Sequence, residues 1–165
     1  MCFNLQSLIF VLIMHRFFVP TIEDDLVTFS DDQAHQLRQV LRMGVGDRVL
    51  VLVDGAGWEY EAELVQVDRK GVTAVILQKH PITSEPTTHL TLYQSLLKRD
   101  NFEWVLQKGT EIGVSRFVPL ISERTVAHPP KKLERWRRIV TEAAEQSGRG
   151  CMPEIKRPLK LTDVL

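Results

Sequence analysis

Cysteine is scarce in this chain of 165 residues, which has only Cys2 and Cys151. Two thiols are too few for a disulfide scaffold or for a zinc site built from cysteines. The histidines show no metal-ligand spacing, since they stand at positions 15, 35, 80, 89 and 128. The sequence therefore favours a protein of a reducing, cytoplasmic compartment, and it predicts no metal centre.

Motifs of hydrolases and of phosphate-binding loops are also missing. No Gly-x-Ser-x-Gly sequence is present, and the glycines of segments 44–47 and 54–57 mark turns that do not connect a strand to a helix. These absences argue against a hydrolase. The missing glycine loop also argues against a generic nucleotide-binding α/β enzyme unrelated to RNA. That function stays open as an alternative, and a nucleotide-binding screen would test it.

Long hydrophobic runs are absent as well. The uncharged apolar stretch 2–14 is shorter than the roughly 20 residues that a membrane helix needs. It lacks the basic start and the small-residue cleavage site of a secretory signal. We expect residues 1–13 to be an extension ahead of a domain that starts near Met14, and we expect no membrane partner. The alternative is a short anchor on a membrane surface.

The net charge is zero, but the two halves of the chain differ in sign. Residues 1–97 carry 7 basic and 12 acidic groups, whereas residues 98–165 carry 14 basic and 9 acidic groups. This asymmetry suggests two modules, of which the basic one is the better candidate for a polyanionic partner.

The first half predicts a small antiparallel β-barrel with one early helix. Residues 15–20 have strand character, and Ser30 and Gln33 form a capping box for a helix over about 31–43. The pattern then changes to alternation of apolar and polar residues, interrupted by tight turns. It predicts three more strands, over 48–54, 58–67 and 72–79. Imperfect alternation in the middle one predicts a β-bulge.

The second half predicts an α/β arrangement of parallel strands joined by helical crossovers. A polar, proline-containing linker, 81–88, separates domain 14–80 from domain 89–165. The elements expected in the second domain are strand 89–97, helix 100–113, strand 114–120, helix 131–147 and a short strand within 153–158. Thr162 is expected to cap one more helix.

The two long helices of the second half have predicted buried faces. The helix over 100–113 is expected to start at Asp100 as its N-cap and to end at Gly113. Its buried residues are predicted to be Phe102, Val105, Leu106, Gly109 and Ile112. Those of the helix over 131–147 are predicted to be Leu133, Trp136, Val140, Ala143, Ala144 and Ser147, ahead of a terminating Gly148.

A loop after a predicted parallel strand carries the first candidate site residue. Segment 122–126 follows strand 114–120, and folds of this class place ligands beyond the carboxyl ends of their strands. Arg124 in this loop has the planar, charged group that binds phosphate or carboxylate. A pairing of Arg124 with Glu123 or with a helix terminus is the alternative.

Two further groups of charged residues are candidates for binding. Near the end of helix 131–147, Glu145, Gln146 and Arg149 lie on one polar face. Gln146 and Arg149 can contact a base edge or bind a loop, and they can equally cap helix carbonyls. In the first half, Arg38 and Arg42 are four residues apart and are expected to share one helix face. A surface salt network with nearby Asp residues is the alternative.

Four segments together resemble a known family. They are HRFFV (15–19), HQLRQVLRMGVGD (35–47), LQKGTEIGVSRFVPLISERTV (106–126) and RWRRIVTEAAEQSGRGCMPEI (135–155). They are similar to the bacterial 16S rRNA (uracil-N3) methyltransferases, the ribosomal RNA small subunit methyltransferase E family. The resemblance covers about residues 14–165, and the two later segments are long and specific.

The resemblance implies a fold and an activity. It implies a PUA-like, RNA-binding β-barrel followed by an α/β domain of the SPOUT methyltransferase class, assembled as a homodimer. It implies methylation of N3 of one uridine in the 16S rRNA of the small ribosomal subunit, with S-adenosyl-L-methionine as methyl donor. Arg16, Arg38 and Arg42 would then face RNA from the barrel. The residues near the methyltransferase site would be Arg124, Glu145, Gln146 and Arg149.

The chain also departs from the family pattern. The Gly-Pro-Glu-Gly-Gly loop and the later Leu-Arg-x-Glu-Thr-Ala-like segment, which form the knot and most of the cofactor pocket in the family, are not in this sequence. We therefore expect an incomplete methyltransferase domain, with the knot region missing and the chain inactive alone. The alternative is a non-catalytic rRNA-binding fragment.

Overall fold

A computed structural model describes residues 14–123, 125 and 133–164 of the chain. The chain divides into two compact units, residues 1–83 and residues 84–165. The domain bounds 14–80, 81–88 and 89–165 stay predictions.

The first unit is built on a five-stranded sheet that contains the predicted hairpins. Its strands are β1 (Arg16–Phe18), β2 (Leu26–Thr28), β3 (Arg48–Leu52), β4 (Trp58–Asp68) and β5 (Gly71–Pro81). They pair in the order β1-β3-β4-β5-β2. The expectation of a purely antiparallel barrel is wrong at one pair, since β1 and β3 run parallel. Their connection contains a strand and a helix, and so it is long enough for a parallel crossover.

Alternation along these strands places one set of apolar side chains in a common core. The predicted irregularity is confirmed, because the register of β4 and β5 shifts near Ala62 and again near Gln66. Phe17 and Phe29 pack edge to face, with ring centroids 5.6 Å apart. The core also contains Val19, Val27, Ala34, Leu37, Val49, Val51, Ala62, Leu64, Val72 and Ala74.

The helix of the first unit starts as predicted but ends early. Helix α1 (Asp31–His35) has the predicted capping box between Ser30 and Gln33. It continues as a π-helical segment over Gln36–Val40, and the chain leaves it at Arg42, whose φ is 56°. The expectation that Arg38 and Arg42 share a helix face is therefore wrong. The wider π turn changes the side-chain spacing, and Arg42 lies beyond the helix.

The second unit contains the predicted parallel sheet. Its elements are β6 (Leu90–Ser95), α2 (Arg99–Glu111), β7 (Val114–Ile121), α3 (Glu134–Gln146), β8 (Glu154–Ile155) and β9 (Leu159–Lys160). β6 pairs with β7 in parallel, and β8 and β9 both pair in parallel with β7. β7 is thus the central strand of the part that the structure describes.

Helix α2 confirms part of its predicted buried face. Phe102, Leu106 and Gly109 are buried, but Ile112 is 77% exposed, so that expectation is wrong. The helix ends at Glu111, Ile112 is its C-cap residue, and Gly113 follows with φ 100° and turns the chain away from the helix axis. Thr110 is buried instead, and its hydroxyl donates to the carbonyl oxygen of Leu106 at 2.7 Å.

The start of α2 also differs from the expectation. Lys98, and not Asp100, is the N-cap residue, and it makes no side-chain capping bond. Asp100 lies in the first turn of the helix, where a negative charge is favourable to the helix dipole. A carboxylate can thus favour a helix start without occupying the capping position.

Glycine brings helix α2 close to strand β7. A Cβ atom on Gly109 would lie 2.6 Å from Cε1 of the buried Phe117 ring. No larger residue fits here unless the ring or the helix moves. The close approach fixes where the helix crosses the sheet.

Helix α3 buries most of its predicted face in the core of the second unit. Trp136, Val140, Ala143 and Ala144 are buried, while Ser147, at the C-cap, is exposed. The Trp136 ring packs against Phe102, with centroids 4.7 Å apart, so Trp136 belongs to the core.

The end of the described chain corrects one more expectation. The last element is a single 3₁₀ turn over Leu161–Asp163, and its N-cap is Lys160 rather than Thr162. The Thr162 hydroxyl lies inside the turn and donates to Asp163 Oδ1 at 3.2 Å. None of the described helices is long and apolar enough to cross a membrane.

Candidate functional site

The carboxyl ends of the parallel strands meet at one edge of the second unit. β6 ends at Ser95, β7 at Ile121 and β9 at Lys160, which pairs with Ile121. The backbone N–H of Leu96 donates to the Leu120 carbonyl at 2.9 Å, so the first residue after β6 stays close to β7. In open parallel sheets this is the edge at which ligands bind. We call it the carboxyl edge.

A turn over Ser122–Thr125 follows β7 at the carboxyl edge. The backbone N–H of Thr125 donates to the Ser122 carbonyl at 3.0 Å, and the Ser122 N–H donates to the Thr125 hydroxyl at 2.8 Å. The two hydroxyl oxygens lie 3.0 Å apart. These bonds hold the loop by both of its ends. Arg124 lies outside the described residues, so its proposed role stays a prediction.

Polar and basic side chains lie on, or just after, two of the strands that pair with β7. The Gln94 amide nitrogen donates to the Ser95 carbonyl at 3.1 Å, and the Gln94 side chain is partly exposed. The side chains of Lys98 and Lys160 are exposed just beyond β6 and at the end of β9. Hydroxyl, amide and ammonium groups are suited to binding a ligand that carries both hydroxyls and an anionic group.

Arg149 lies away from solvent, and its guanidinium is engaged by groups of the second unit. Its side chain is 6% exposed, and two of its nitrogens donate to the Glu85 carboxylate, at 3.3 and 2.7 Å. Nη1 donates to the carbonyl of Val114 at 2.5 Å and approaches that of Thr110 at 3.4 Å. Arg149 thus ties together the start of β7, the end of α2 and the segment before β6. Direct RNA binding by Arg149 stays an untested prediction, as it does for the exposed Gln146 and the half-buried Glu145.

Glu85 is the acceptor at the centre of this arrangement, which we call the Glu85 clasp. Its Oε1 also accepts the backbone N–H groups of Gly150, at 2.7 Å, and Cys151, at 3.1 Å. Partial burial acts to raise the pKa of the Glu85 carboxyl, but the bonds from Arg149, Gly150 and Cys151 outweigh it and lower that pKa. The carboxylate is therefore held in its charged form.

The candidate arginines of the first unit differ in how far they are already engaged. Arg16 pairs with Glu59 at 3.1 Å, and both side chains are largely buried. Arg38 donates from Nε to the Ala34 carbonyl at 3.1 Å and from Nη1 to the Asp68 carbonyl at 2.6 Å. Arg42 is exposed. The structure does not test whether any of the three binds RNA.

No pattern in the sequence indicated the Glu85 clasp. Glu85 and Arg149 are 64 residues apart, and no local pattern relates positions at that distance. Glu85 lies in a segment that composition marks only as a linker.

Within residues 14–123, 125 and 133–164, no group of three or more His, Cys, Asp or Glu residues is placed to bind a metal ion.

Comparison with known proteins gives matches over both units. Residues 83–165 match the family described as the RNA methyltransferase domain, and residues 29–77 match the family described as the RNA methyltransferase PUA domain. The chain is 42% identical over 134 residues to ribosomal RNA small subunit methyltransferase E of Synechocystis sp., covering 81% of this chain and 43% of that protein. It is 32% identical to the Bacillus subtilis protein of the same name, covering 86% of this chain and 59% of that one.

A solved structure is also similar. The crystal structure of a ribosomal RNA small subunit methyltransferase E from Neisseria gonorrhoeae, bound to S-adenosyl methionine, superposes with a TM-score of 0.83 at 31% identity. The match covers 92% of this chain and 64% of that one. The chain thus spans about half the length of the curated relatives that it matches, 43% and 59% in the two cases above. Its second unit has the α/β fold of these proteins.

Proposed function

Because the chain belongs to the ribosomal RNA small subunit methyltransferase E family, we propose that it takes part in methylating N3 of one uridine in 16S rRNA. The observation that carries the proposal is the carboxyl edge, where β6, β7 and β9 end within the matched residues 83–165. The substrate is the rRNA of the small ribosomal subunit in the cytoplasm, and the methyl donor is S-adenosylmethionine.

We propose that the residues of the carboxyl edge contribute part of the donor site, since the segments that form most of the family's cofactor pocket are not in this sequence. The hydroxyls of Ser122 and Thr125 and the amide oxygen of Gln94 suit ribose hydroxyls, and the ammonium groups of Lys98 and Lys160 suit a carboxylate. When bound, S-adenosylmethionine supplies an electrophilic methyl group. The hydrogen bonds of the Ser122–Thr125 turn fix two of these groups before any ligand arrives, which reduces the ordering cost of binding.

The chemistry at uracil sets the remaining requirements. N3 carries a proton in the neutral base, and it becomes a nucleophile when a base or water accepts that proton. A cation next to the base favours the resulting anion, and we propose this role for Arg124. The base must also leave its stack to reach the protein, so part of the binding free energy is used for flipping it. The chain's part is therefore to hold the extruded base at near-attack distance and to stabilise its anion.

The first unit is proposed to hold the RNA. Its match to a PUA domain of RNA methyltransferases supports this assignment. We propose domain bounds of 14–80 for RNA binding and 89–165 for the methyltransferase part, with 81–88 between them. Arg16, Arg38 and Arg42 remain the RNA contacts proposed in the first domain. Glu145, Gln146 and Arg149 remain those proposed near the site, and the assembly is proposed to be a homodimer.

The proposal is tested with purified small ribosomal subunits that lack the methyl group. The chain is incubated with these subunits and with S-adenosylmethionine labelled in the methyl group. Label at N3 of one uridine supports methylation by this chain and overturns the expectation that the chain is inactive alone. A methyl group on another atom contradicts the N3 assignment. Salt-sensitive binding without transfer favours the non-catalytic, rRNA-binding alternative, and no binding at low salt contradicts both.

A further inference from the structure

One end of the first unit gathers cations in a part of the protein that is otherwise acidic. Residues 1–83 contain seven Lys and Arg residues and eleven Asp and Glu residues. Four of the seven basic residues lie in two short segments. One is the π-helical segment with the residues just after it, and the other is the turn between β4 and β5. The four residues are Arg38, Arg42, Arg69 and Lys70.

The structure brings these two segments together through Arg38. From the π-helical segment, its Nε donates to the carbonyl of Ala34 in α1 at 3.1 Å. Its Nη1 donates to the carbonyl of Asp68, the first residue of the β4–β5 turn, at 2.6 Å. The turn that carries Arg69 and Lys70 is thus bound directly to the helix end that carries Arg42.

The acidic residues of these segments are turned towards the backbone. Asp68 Oδ1 accepts the backbone N–H groups of Lys70, at 2.7 Å, and Gly71, at 3.2 Å. The bond from Lys70, followed by one from the Gln66 amide, lowers the pKa of the Asp68 carboxyl. Asp47 Oδ2 likewise accepts the Gly44 N–H at 2.7 Å. Both carboxylates thus hold a turn in shape.

The three other basic side chains are open to solvent. Arg42, Arg69 and Lys70 are all exposed, in contrast to Arg16, which is enclosed with Glu59. Arg38 differs from them because its guanidinium is occupied by carbonyl groups. The two backbone segments that carry the three exposed cations are thus joined by the hydrogen bonds of Arg38.

Arg42 occupies a backbone position that disfavours its side chain. Its φ is 56°, in the left-handed region that glycine most often occupies at a helix end. The next residue, Met43, donates its N–H to the Leu37 carbonyl at 2.9 Å, so Arg42 lies within the turn that ends the helix. A residue with a Cβ atom is conformationally strained in this region. Together with the rare π turn just before it, this strain points to a functional use of the exposed guanidinium.

We propose that Arg42, Arg69 and Lys70 form a docking surface for the phosphate backbone of RNA. The inference rests on the proposed function, since it takes rRNA as the partner, and it deepens that function by placing one contact surface. Cations in fixed positions bind phosphates without reading the base sequence. The surface would set the position of the RNA on the first unit and leave recognition of the target uridine to other residues.

The test measures binding of the chain to a 16S rRNA transcript and to an unrelated transcript of equal length, over a range of salt concentrations. The logarithm of the affinity falls linearly with the logarithm of the salt concentration, and each bound phosphate adds roughly one to the slope. For the variant R42Q/R69Q/K70Q we expect a slope shallower by roughly 3, and a similar fall in affinity for both transcripts. Lys79→Gln, which removes an exposed charge elsewhere on β5, is the control and leaves the slope unchanged.

A second variant keeps the test valid if the triple substitution disturbs folding. Arg42→Gly removes one charge and relieves the positive φ, so its thermal unfolding temperature is expected to be equal or higher while the slope falls by about 1. An unchanged slope in both variants overturns the docking surface, as does an equal change in Lys79→Gln. If the unmodified chain binds neither transcript at low salt, the surface is also overturned. The proposed reaction is judged separately, by the methyl mark on the rRNA.

Discussion

The two units hold their strands together by different means. In the first unit, β4 and β5 are consecutive in the chain and pair along their whole length, from Trp58 with Pro81 to Asp68 with Gly71. In the second unit, a helix separates β6 from β7, and the Glu85 clasp joins segments 64 residues apart. A hairpin forms from contacts close in sequence, whereas a parallel sheet must overcome a larger loop-closure entropy before its contacts form. The second unit should therefore depend more on single side chains than the first.

Removing Arg149 is expected to have the largest effect on stability. Arg149→Met removes the hydrogen bonds that Arg149 donates to the Glu85 carboxylate and to the Val114 carbonyl. Both side chains of this ion pair are largely shielded from solvent. Breaking a buried ion pair in this way costs about 3 kcal/mol. The measurement is urea unfolding of the chain, followed by tryptophan fluorescence.

Arg138→Met is the matched control for that experiment. Arg138 pairs with Glu142 at 2.8 Å, one turn away on the exposed side of α3. Exposed pairs of this kind contribute about 0.5 kcal/mol or less. Equal decreases for the two variants would show that the clasp is no more important than a surface pair.

A methyl group at Gly109 is expected to have the next largest effect. In Gly109→Ala, the new Cβ lies 2.6 Å from Cε1 of Phe117, a ring that is only 1% exposed. Overpacking costs about 1–3 kcal/mol, and the better helix propensity of alanine offsets about 1 kcal/mol of this. The expected net result is a decrease of up to about 2 kcal/mol in the unfolding free energy of the second unit. Gly44→Ala in the first unit is the control, because a Cβ atom at Gly44 meets no atom within 4 Å. It should change the unfolding free energy of the first unit by less than about 0.5 kcal/mol.

The Glu85 clasp is also expected to make the second unit sensitive to acid. Because the folded-state pKa of Glu85 lies below the ordinary value of 4.5, its contribution to stability is fully present above that value. The contribution disappears as the pH falls below 4.5 and through the folded-state pKa. The measurement compares the unfolding free energies of the unmodified chain and of Glu85→Gln between neutral and acidic pH. The difference between them should narrow with falling pH, and a constant difference would contradict this role of the carboxylate.

A substitution in a turn of the first unit is expected to have the smallest effect on stability, and it should raise the unfolding free energy instead of lowering it. Asp24 and Asp25 have φ values of 48° and 62° in a two-residue turn, closed by mutual backbone hydrogen bonds of Glu23 and Leu26. Glycine is preferred at the second position of such a turn. Asp25→Gly is therefore expected to raise the unfolding free energy of the first unit by about 0.5–1 kcal/mol. Asp25→Ala, which removes the same carboxylate and keeps the strain, should not stabilise it.

Local sequence signals predicted much of the fold. Residue alternation located β3, β4 and β5 and the bulge in β4, and Ser30 and Gln33 located the start of α1. These features are decided by neighbours a few residues apart. The change from period two to helical spacing was likewise enough to predict the parallel sheet of the second unit.

The errors occur where the backbone departs from ideal geometry. The π turn and the left-handed conformation of Arg42 separate two arginines that an ideal helix would align. Ile112 was predicted to lie on the buried face of α2, but that face runs through Thr110 instead, and Ile112 is exposed at the C-cap. The Glu85 clasp was missed because only the folded chain brings its members together. The contacts that bind Arg38 to the β4–β5 turn and engage Arg149 within the fold join residues 30 or more positions apart, while the site in the loop after β7 stays a prediction.

Methylation of 16S rRNA at a uridine N3 is tested most directly by one measurement in cells. The coding sequence of this chain is deleted, and N3-methyluridine in 16S rRNA is mapped by reverse transcription, which stops at the modified base because the methyl group blocks its pairing edge. We predict that a stop at one position disappears on deletion and returns when the intact coding sequence is restored. An unchanged set of stops after the deletion would contradict the proposed methylation.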